Sequence, residues 1–154
     1  MQGDPAVIEA LNDVLTAELT AINQYFVHAK MRKNWGFEKL AKKAHEESIG
    51  EMKDADKLIE RILFLEGVPN LQRLHTVRVG ETAVEQLELE RDTEKAAVER
   101  LNRAIALCRE RADEGTSNLL IEILHGEEES LDWLETQLHL IATLGAENYL
   151  AEQL

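Results

Sequence analysis

The sequence predicts an all-α protein: a four-helix bundle with one long crossover and a short fifth helix at the C-terminus. Three observations predict it. Four stretches of about 30 residues carry apolar residues at the three-and-four spacing of a single helical face. No stretch alternates in the manner of a strand. The links after the first and third stretches are short and the middle one is long, which is the connectivity of a bundle with one crossover.

The first helix begins at Asp4 and Pro5, where an Asp side chain accepts an orphan N–H and Pro lacks the donor that its position would leave unpaired. Its stripe runs Ile8, Leu11, Leu15, Leu19, Ile22 and Phe26, and Asn34-Trp35-Gly36 breaks it. The second stripe is Leu40, Ala44, Ser48, Ala55, Leu58, Ile62 and Leu65, closed by Gly67 and Pro69. From Glu66 to Glu81 neither period is sustained, so this segment is the crossover. Thr82-Ala83-Val84-Glu85 reads as a capping box opening a third helix, with Val84, Leu87, Val98, Leu101, Ile105 and Cys108 inside. A break over Asp113 to Ser117 precedes a fourth helix with Leu120, Ile123, Leu131, Leu134, Leu138 and Ile141, and Gly145 precedes a short helix in Ala146 to Leu154. Helices of this length span about 45 Å. With 154 residues, one domain over 1–154 is expected.

Lys and Arg total 17 against 30 Asp and Glu, a formal net charge of -13. That balance disfavours nucleic acid and anionic lipid and favours metal cations as partners. The single cysteine, Cys108, has no intrachain partner for a disulfide, and Met1-Gln2-Gly3-Asp4-Pro5 is not a basic and then apolar leader, so a cytoplasmic location is expected. The most apolar stretch, Ile59 to Leu65, carries Glu60 and Arg61 and is far shorter than the roughly 20 residues of a membrane span.

Each long stripe is interrupted by a glutamate. Glu18 lies between Leu15 and Ile22, Glu51 between Ser48 and Ala55, Glu94 between Arg91 and Val98, and Glu127 between Ile123 and Leu131. One such residue alone reads best as a stripe-edge side chain reaching water. Four aimed into one core need compensation, because a bare buried carboxylate costs several kcal/mol or takes up a proton, and a pair of divalent cations supplies it. Bundles of that kind take a Glu from each of two helices and Glu-x-x-His from each of the other two. Here the second and fourth helices offer Glu51-Met52-Lys53-Asp54 and Glu127-Glu128-Glu129-Ser130. Asp54 can ligate a hard cation through oxygen, whereas Ser130 is a poor iron ligand, so fast Fe(II) oxidation is not expected. His125 is about 200° around the helix from Glu127, and His28, His45, His75 and His139 also lack the required offset.

Met52 lies about 100° from Glu51, on a second, partly apolar face with His45, Ile49, Ile59 and Leu63. A methionine there packs an interface more readily than it binds a metal, although a thioether is also an axial haem ligand.

Across its whole length the chain resembles the bacterioferritins. The resemblance is carried by Met1-Gln2-Gly3-Asp4, Ala21-Ile22-Asn23-Gln24-Tyr25-Phe26, Ile59 through Gly67, Pro69-Asn70-Leu71-Gln72, Asp132-Trp133-Leu134-Glu135-Thr136 and Glu147-Asn148-Tyr149-Leu150. It implies a ferritin-like fold and a closed cage of about 24 subunits storing ferric mineral. It also implies haem b at each two-fold dimer interface, its iron held by Met52 of both subunits, with Leu19, Ile22, Asn23, Phe26, Ile49 and Leu71 nearby. Glu18, Glu51, Glu94 and Glu127 match the family's ferroxidase carboxylates, while its two ferroxidase histidines fall at Asp54 and Ser130. Its inner-surface positions hold Glu46 and Gly50, its small pore maps to Asn34, Glu66 and Asp132, and His139 departs from the usual acid. Tyr25 and Trp133 fall near the metal site, where core packing is the favoured role.

The chain therefore resembles a haem-bearing subunit that lacks a complete oxidase centre. It is expected to work beside a ferroxidase-competent bacterioferritin subunit and a redox partner such as a ferredoxin. The competing expectation is an active ferroxidase with an all-oxygen di-iron site completed by Asp54, water and Glu128 or Glu129.

Overall fold

A computed structural model describes residues 1–154 as five helices: α1 Pro5–Asn34, α2 Glu38–Phe64, α3 Ala83–Glu110, α4 Glu114–Leu144 and α5 Ala146–Ala151. The architecture is a ferritin-like four-helix bundle with a short C-terminal helix and no strand. Local chemistry explains the boundaries. Asp4 Oδ1 accepts from the Ala6 N–H at 2.7 Å, with Pro5 in the first turn. Thr82 Oγ1 accepts from the Glu85 N–H at 3.1 Å, so the N-cap half of the expected capping box is in place.

Two boundaries differ from the sequence expectation. Helix α2 is closed by Glu66, which turns left-handed at φ 63°, while Gly67 donates its N–H to Ile62 O at 2.8 Å. Gly67 is needed for a close approach instead: a Cβ there would lie 2.7 Å from Ile8 Cγ2. The break before α4 shrinks to Arg111–Asp113. Ala112 takes the left-handed turn at φ 57°, and Asp113 caps α4 by accepting from the Thr116 N–H at 3.0 Å and the Thr116 hydroxyl at 2.7 Å. Thr116 and Ser117, expected outside the helix, are buried in its first turn.

The crossover between α2 and α3 has no regular structure, yet it is fastened along α1 by residues one turn apart. Asn12 donates to Val68 O at 3.1 Å and accepts from the Asn70 N–H at 2.8 Å. Thr16 accepts from Arg73 Nε at 3.0 Å, and Thr20 accepts from the His75 N–H at 3.0 Å. Gln24 donates to Arg78 O at 2.9 Å, and His28 Nε2 accepts from the Gly80 N–H at 3.0 Å. This four-residue spacing is one face of α1, so the crossover runs lengthwise along the bundle.

The core is layered. At one end Leu11, Leu15, Leu58, Ile62, Leu101 and Leu120 pack together with Val7 and Ile123. Each such side chain contributes about 1.5–3 kcal/mol on burial. At the other end Leu40, Leu87 and Leu134 pack against Tyr149 of α5, whose hydroxyl donates to Gln137 at 2.7 Å. Between these layers the interior is polar. The α1 stripe is correspondingly rotated: Leu19 and Ile22 are only half-buried and Phe26 is 52% exposed, while Glu18, Gln24, His28 and Arg32 face inward. On α3 and α4, Val84, Val98, Leu131, Leu138 and Ile141 are likewise half-buried at stripe edges.

Candidate metal centre

The four glutamates expected to point inward do so: Glu18 on α1, Glu51 on α2, Glu94 on α3 and Glu127 on α4 are each at most 4% exposed. One turn of α2 beyond Glu51, Asp54 is half-buried. Carboxylate oxygens of Glu18, Glu51, Asp54 and Glu127 all lie within 4.8 Å of one another, and a second group, Glu47, Glu51 and Glu94, is equally tight. Glu51 belongs to both. The Tyr25 hydroxyl donates to Glu94 Oε1 at 2.6 Å, whereas Glu18 Oε2 and Glu94 Oε2 are buried without a partner.

Burial holds the carboxyls of Glu51, Glu94 and Glu127 well above the usual carboxylate range. Neighbouring charge pushes the same way: Glu94 on Glu51, Glu127 on Glu94 and Glu51 on Glu127. Burial raises Asp54 to about 6, with Lys57 opposing and Glu122 and Glu47 adding to the rise. Without a cation the cage must hold protons, since ionised carboxylates this close repel strongly in a low-dielectric interior. The donor set fits divalent cations well: oxygen ligands in excess, two of them unpaired, around one shared bridge.

No nitrogen is supplied at the position of Ser130. Its hydroxyl turns instead to Glu47 Oε2, at 2.8 Å, and Glu47 Oε1 meets Lys43 Nζ at 3.1 Å. Glu128 and Glu129, expected as alternative oxygen donors, are exposed and do not reach the site. Glu47 was the missed residue. Its signal was its place on α2, one turn before Glu51 on the same face.

A cavity of about 210 Å³ lies over the cage between α1, α3 and the crossover, with Glu18, Glu51, Glu94 and Glu127 in its wall. Its lining also includes His75, Arg78 and Arg100, which are less buried than the carboxylates and so form the outer rim.

Beyond the cage lies a second buried layer that the sequence reading did not anticipate. Glu90 Oε2 accepts from Arg32 Nη2 and from His28 Nδ1, each at 2.6 Å, with all three side chains at most 1% exposed. Because His28 Nε2 accepts from the Gly80 amide, the ring proton sits on Nδ1. Gln86 accepts from Arg32 Nε at 2.9 Å and donates to Gly80 O at 3.1 Å, fixing the end of the crossover.

Met52 lies on the other face of α2 and is 44% exposed. Phe26, Ile49 and Leu71, also expected near a cofactor there, are exposed, as is Asn23. The Met52 thioether is therefore not covered by its own chain, and a thioether is a donor of the kind that holds haem iron. Asn34, Glu66, Asp132, Glu46, Gly50 and His139 are exposed. Asn34 ends α1 and Glu66 follows the end of α2, at opposite ends of the bundle, so one subunit alone does not gather the pore residues. Trp133 is half-buried beneath Lys43, whose Nζ is 4.9 Å from the ring centroid. No helix is long and apolar enough to cross a membrane.

Long helices contributing carboxylates to one buried cage define a ferritin-like protein, and the ferritin family model, described as a ferritin-like domain, matches residues 8–144. The chain is 50% identical to a bacterioferritin of Mycolicibacterium paratuberculosis over 152 residues, covering 99% of this chain and 96% of that protein. It is 51% identical to a bacterioferritin of Streptomyces coelicolor over 151 residues, covering 98% and 90%. A bacterioferritin of Brucella melitensis is 46% identical over 149 residues, covering 97% and 92%. The chain belongs to the bacterioferritin family.

Proposed function

We propose that the chain is an iron-storage subunit that assembles into a closed cage of about 24 copies. In this reading it shares haem b between two copies through Met52, and its carboxylate centre lacks the nitrogen ligands of a fast ferroxidase. The observation that carries the reading is the pairing of an uncovered Met52 thioether on an apolar α1–α2 face with an oxygen-only cage behind it. Met52 of two copies related by a two-fold axis would hold the group between them. Phe26, Ile49 and Leu71 would then exclude water from the group's edges, a role supported by their exposure in the single subunit.

Held there by Met52, haem would supply one-electron transfer. The chain's own part is to hold the sulfur, keep the face dry and place it on the same helix as the cage. Met52 and Glu51 are adjacent in sequence, so α2 serves the interface with one face and the interior with the other. Electrons taken from a redox partner such as a ferredoxin would pass inward and release stored Fe(III) as Fe(II). A mixed shell, in which ferroxidase-competent subunits oxidise incoming Fe(II), completes this division of labour.

The excess of buried carboxylates favours one competing reading, an active all-oxygen ferroxidase. Aerobic Fe(II) oxidation by the purified homopolymer, beside an Asp54→His/Ser130→His double variant, separates the two. A slow natural protein and a fast double variant support the haem subunit; a fast natural protein sinks it. A reduced-minus-oxidised visible spectrum that persists in Met52→Leu would refute the thioether ligation.

A further inference from the structure

We infer that Glu47 is a metal ligand, so that the second cation position of the cage is an all-oxygen site formed by Glu47, Glu51 and Glu94, with Ser130 positioning Glu47. The inference shares with the proposed function only the premise that the buried carboxylates hold cations; it is independent of the haem.

Three observations converge. Oxygens of Glu47, Glu51 and Glu94 lie within 4.8 Å of one another, close enough for one ion to touch all three. Glu94 is 1% exposed, and with Oε1 engaged by the Tyr25 hydroxyl its Oε2 is buried with only the neighbouring carboxyl of Glu127 beside Glu94 and no other donor. A buried carboxylate oxygen without a donor, in a group with two more carboxylates, is one that a bound cation would satisfy. Finally, the Glu47 carboxylate is held in place on both oxygens, Oε2 by the Ser130 hydroxyl at 2.8 Å and Oε1 by the Lys43 ammonium at 3.1 Å. Ser130 is thus not a failed ligand. It holds one, in the way that outer groups commonly fix a coordinating carboxylate.

Charge and softness then set the ligand class. Oxygen-only positions prefer hard divalent ions, Mn(II) and Mg(II) among them, and hold softer, nitrogen-seeking ions less selectively. The added negative charge of each oxygen substitute is met locally: Lys43 beside Glu47, and Lys57 acting on Asp54.

The test is Mn(II) binding by the intact, chelator-stripped assembly, with free Mn(II) followed by electron paramagnetic resonance. The natural protein should bind two ions per subunit, and Glu47→Gln should bind one. Ser130→Ala should keep both while weakening the second roughly tenfold, and Ser130→Thr, which restores a hydroxyl, should recover it. Two undiminished sites in Glu47→Gln overturn the assignment of Glu47 alone. Absence of Mn(II) binding in the natural protein overturns it together with the premise that the cage holds cations.

Discussion

Arg32 and Glu90 form an ion pair inside the bundle, Nη2 to Oε2 at 2.6 Å, with neither side chain more than 1% exposed. Removing one partner would strand a desolvated charge, whereas replacing both with apolar groups would not. Glu90→Ala is expected to destabilise by about 3–5 kcal/mol, and the Arg32→Met/Glu90→Leu pair by less, because it strands no charge and leaves only the His28 and Gln86 polar atoms without their partners. Urea titrations of the three proteins check this; equal losses in the single and double variants would contradict it.

The cage gives the metal-free protein an inverted pH dependence. Glu51, Glu94 and Glu127 hold their protons more tightly folded than unfolded. Their contribution to stability is complete below the unfolded value of about 4.3 and is lost as pH rises through the folded values. Asp4 and Asp113, whose carboxyls are lowered, act in the opposite sense but only in more acidic solution. Melting temperature with chelator present should therefore fall from about pH 5 to neutrality, and Mn(II) should flatten the slope by replacing protons. A chelated protein whose melting temperature climbs over that window would refute the argument.

The cavity over the cage is lined in part by positive charge. Arg100 has its charge disfavoured by burial and by Arg103, and it shares the cavity lining with Arg78 and His75. Arg100→Gln should speed Mn(II) loading by roughly two- to tenfold at low salt, and the advantage should shrink as salt screens the rim. Stopped-flow loading at two ionic strengths measures it. An unchanged rate would mean that cations reach the cage by another route.

Cys108 is fully buried, and burial, then the charge of Asp113, pushes its thiol up to about 11. A neutral, inaccessible thiol should not react with a disulfide reagent until the bundle opens. Labelling during a denaturant titration should track the loss of helix; labelling of the native protein would show that the packing around it breathes.

The sequence made legible what depends on local spacing. Asp4 and Thr82 cap helices because a side-chain oxygen meets an amide two or three residues on, and the four cage glutamates were visible as interruptions of apolar stripes. Glu47 and Glu90 were not, although each sits one turn before an anticipated glutamate. An acid at that spacing is usually solvated, and only the partners brought by other helices, Ser130 to Glu47 and Arg32 to Glu90, reveal otherwise. Phe26 misled in the opposite direction: its spacing matched the core stripe, but the interior at that level is polar and the ring faces out.

The fastening of the crossover along α1 has a consequence for how the outer surface can change. At Val68, Asn70, His75, Arg78 and Gly80 the helix grips main-chain amides and carbonyls, and Arg73 is the crossover residue that α1 holds by its side chain. Most side chains of the segment are therefore free of any duty to the fold. The strap is a place where recognition can be rewritten by substitution, or a short peptide grafted, while the bundle beneath stays as it is.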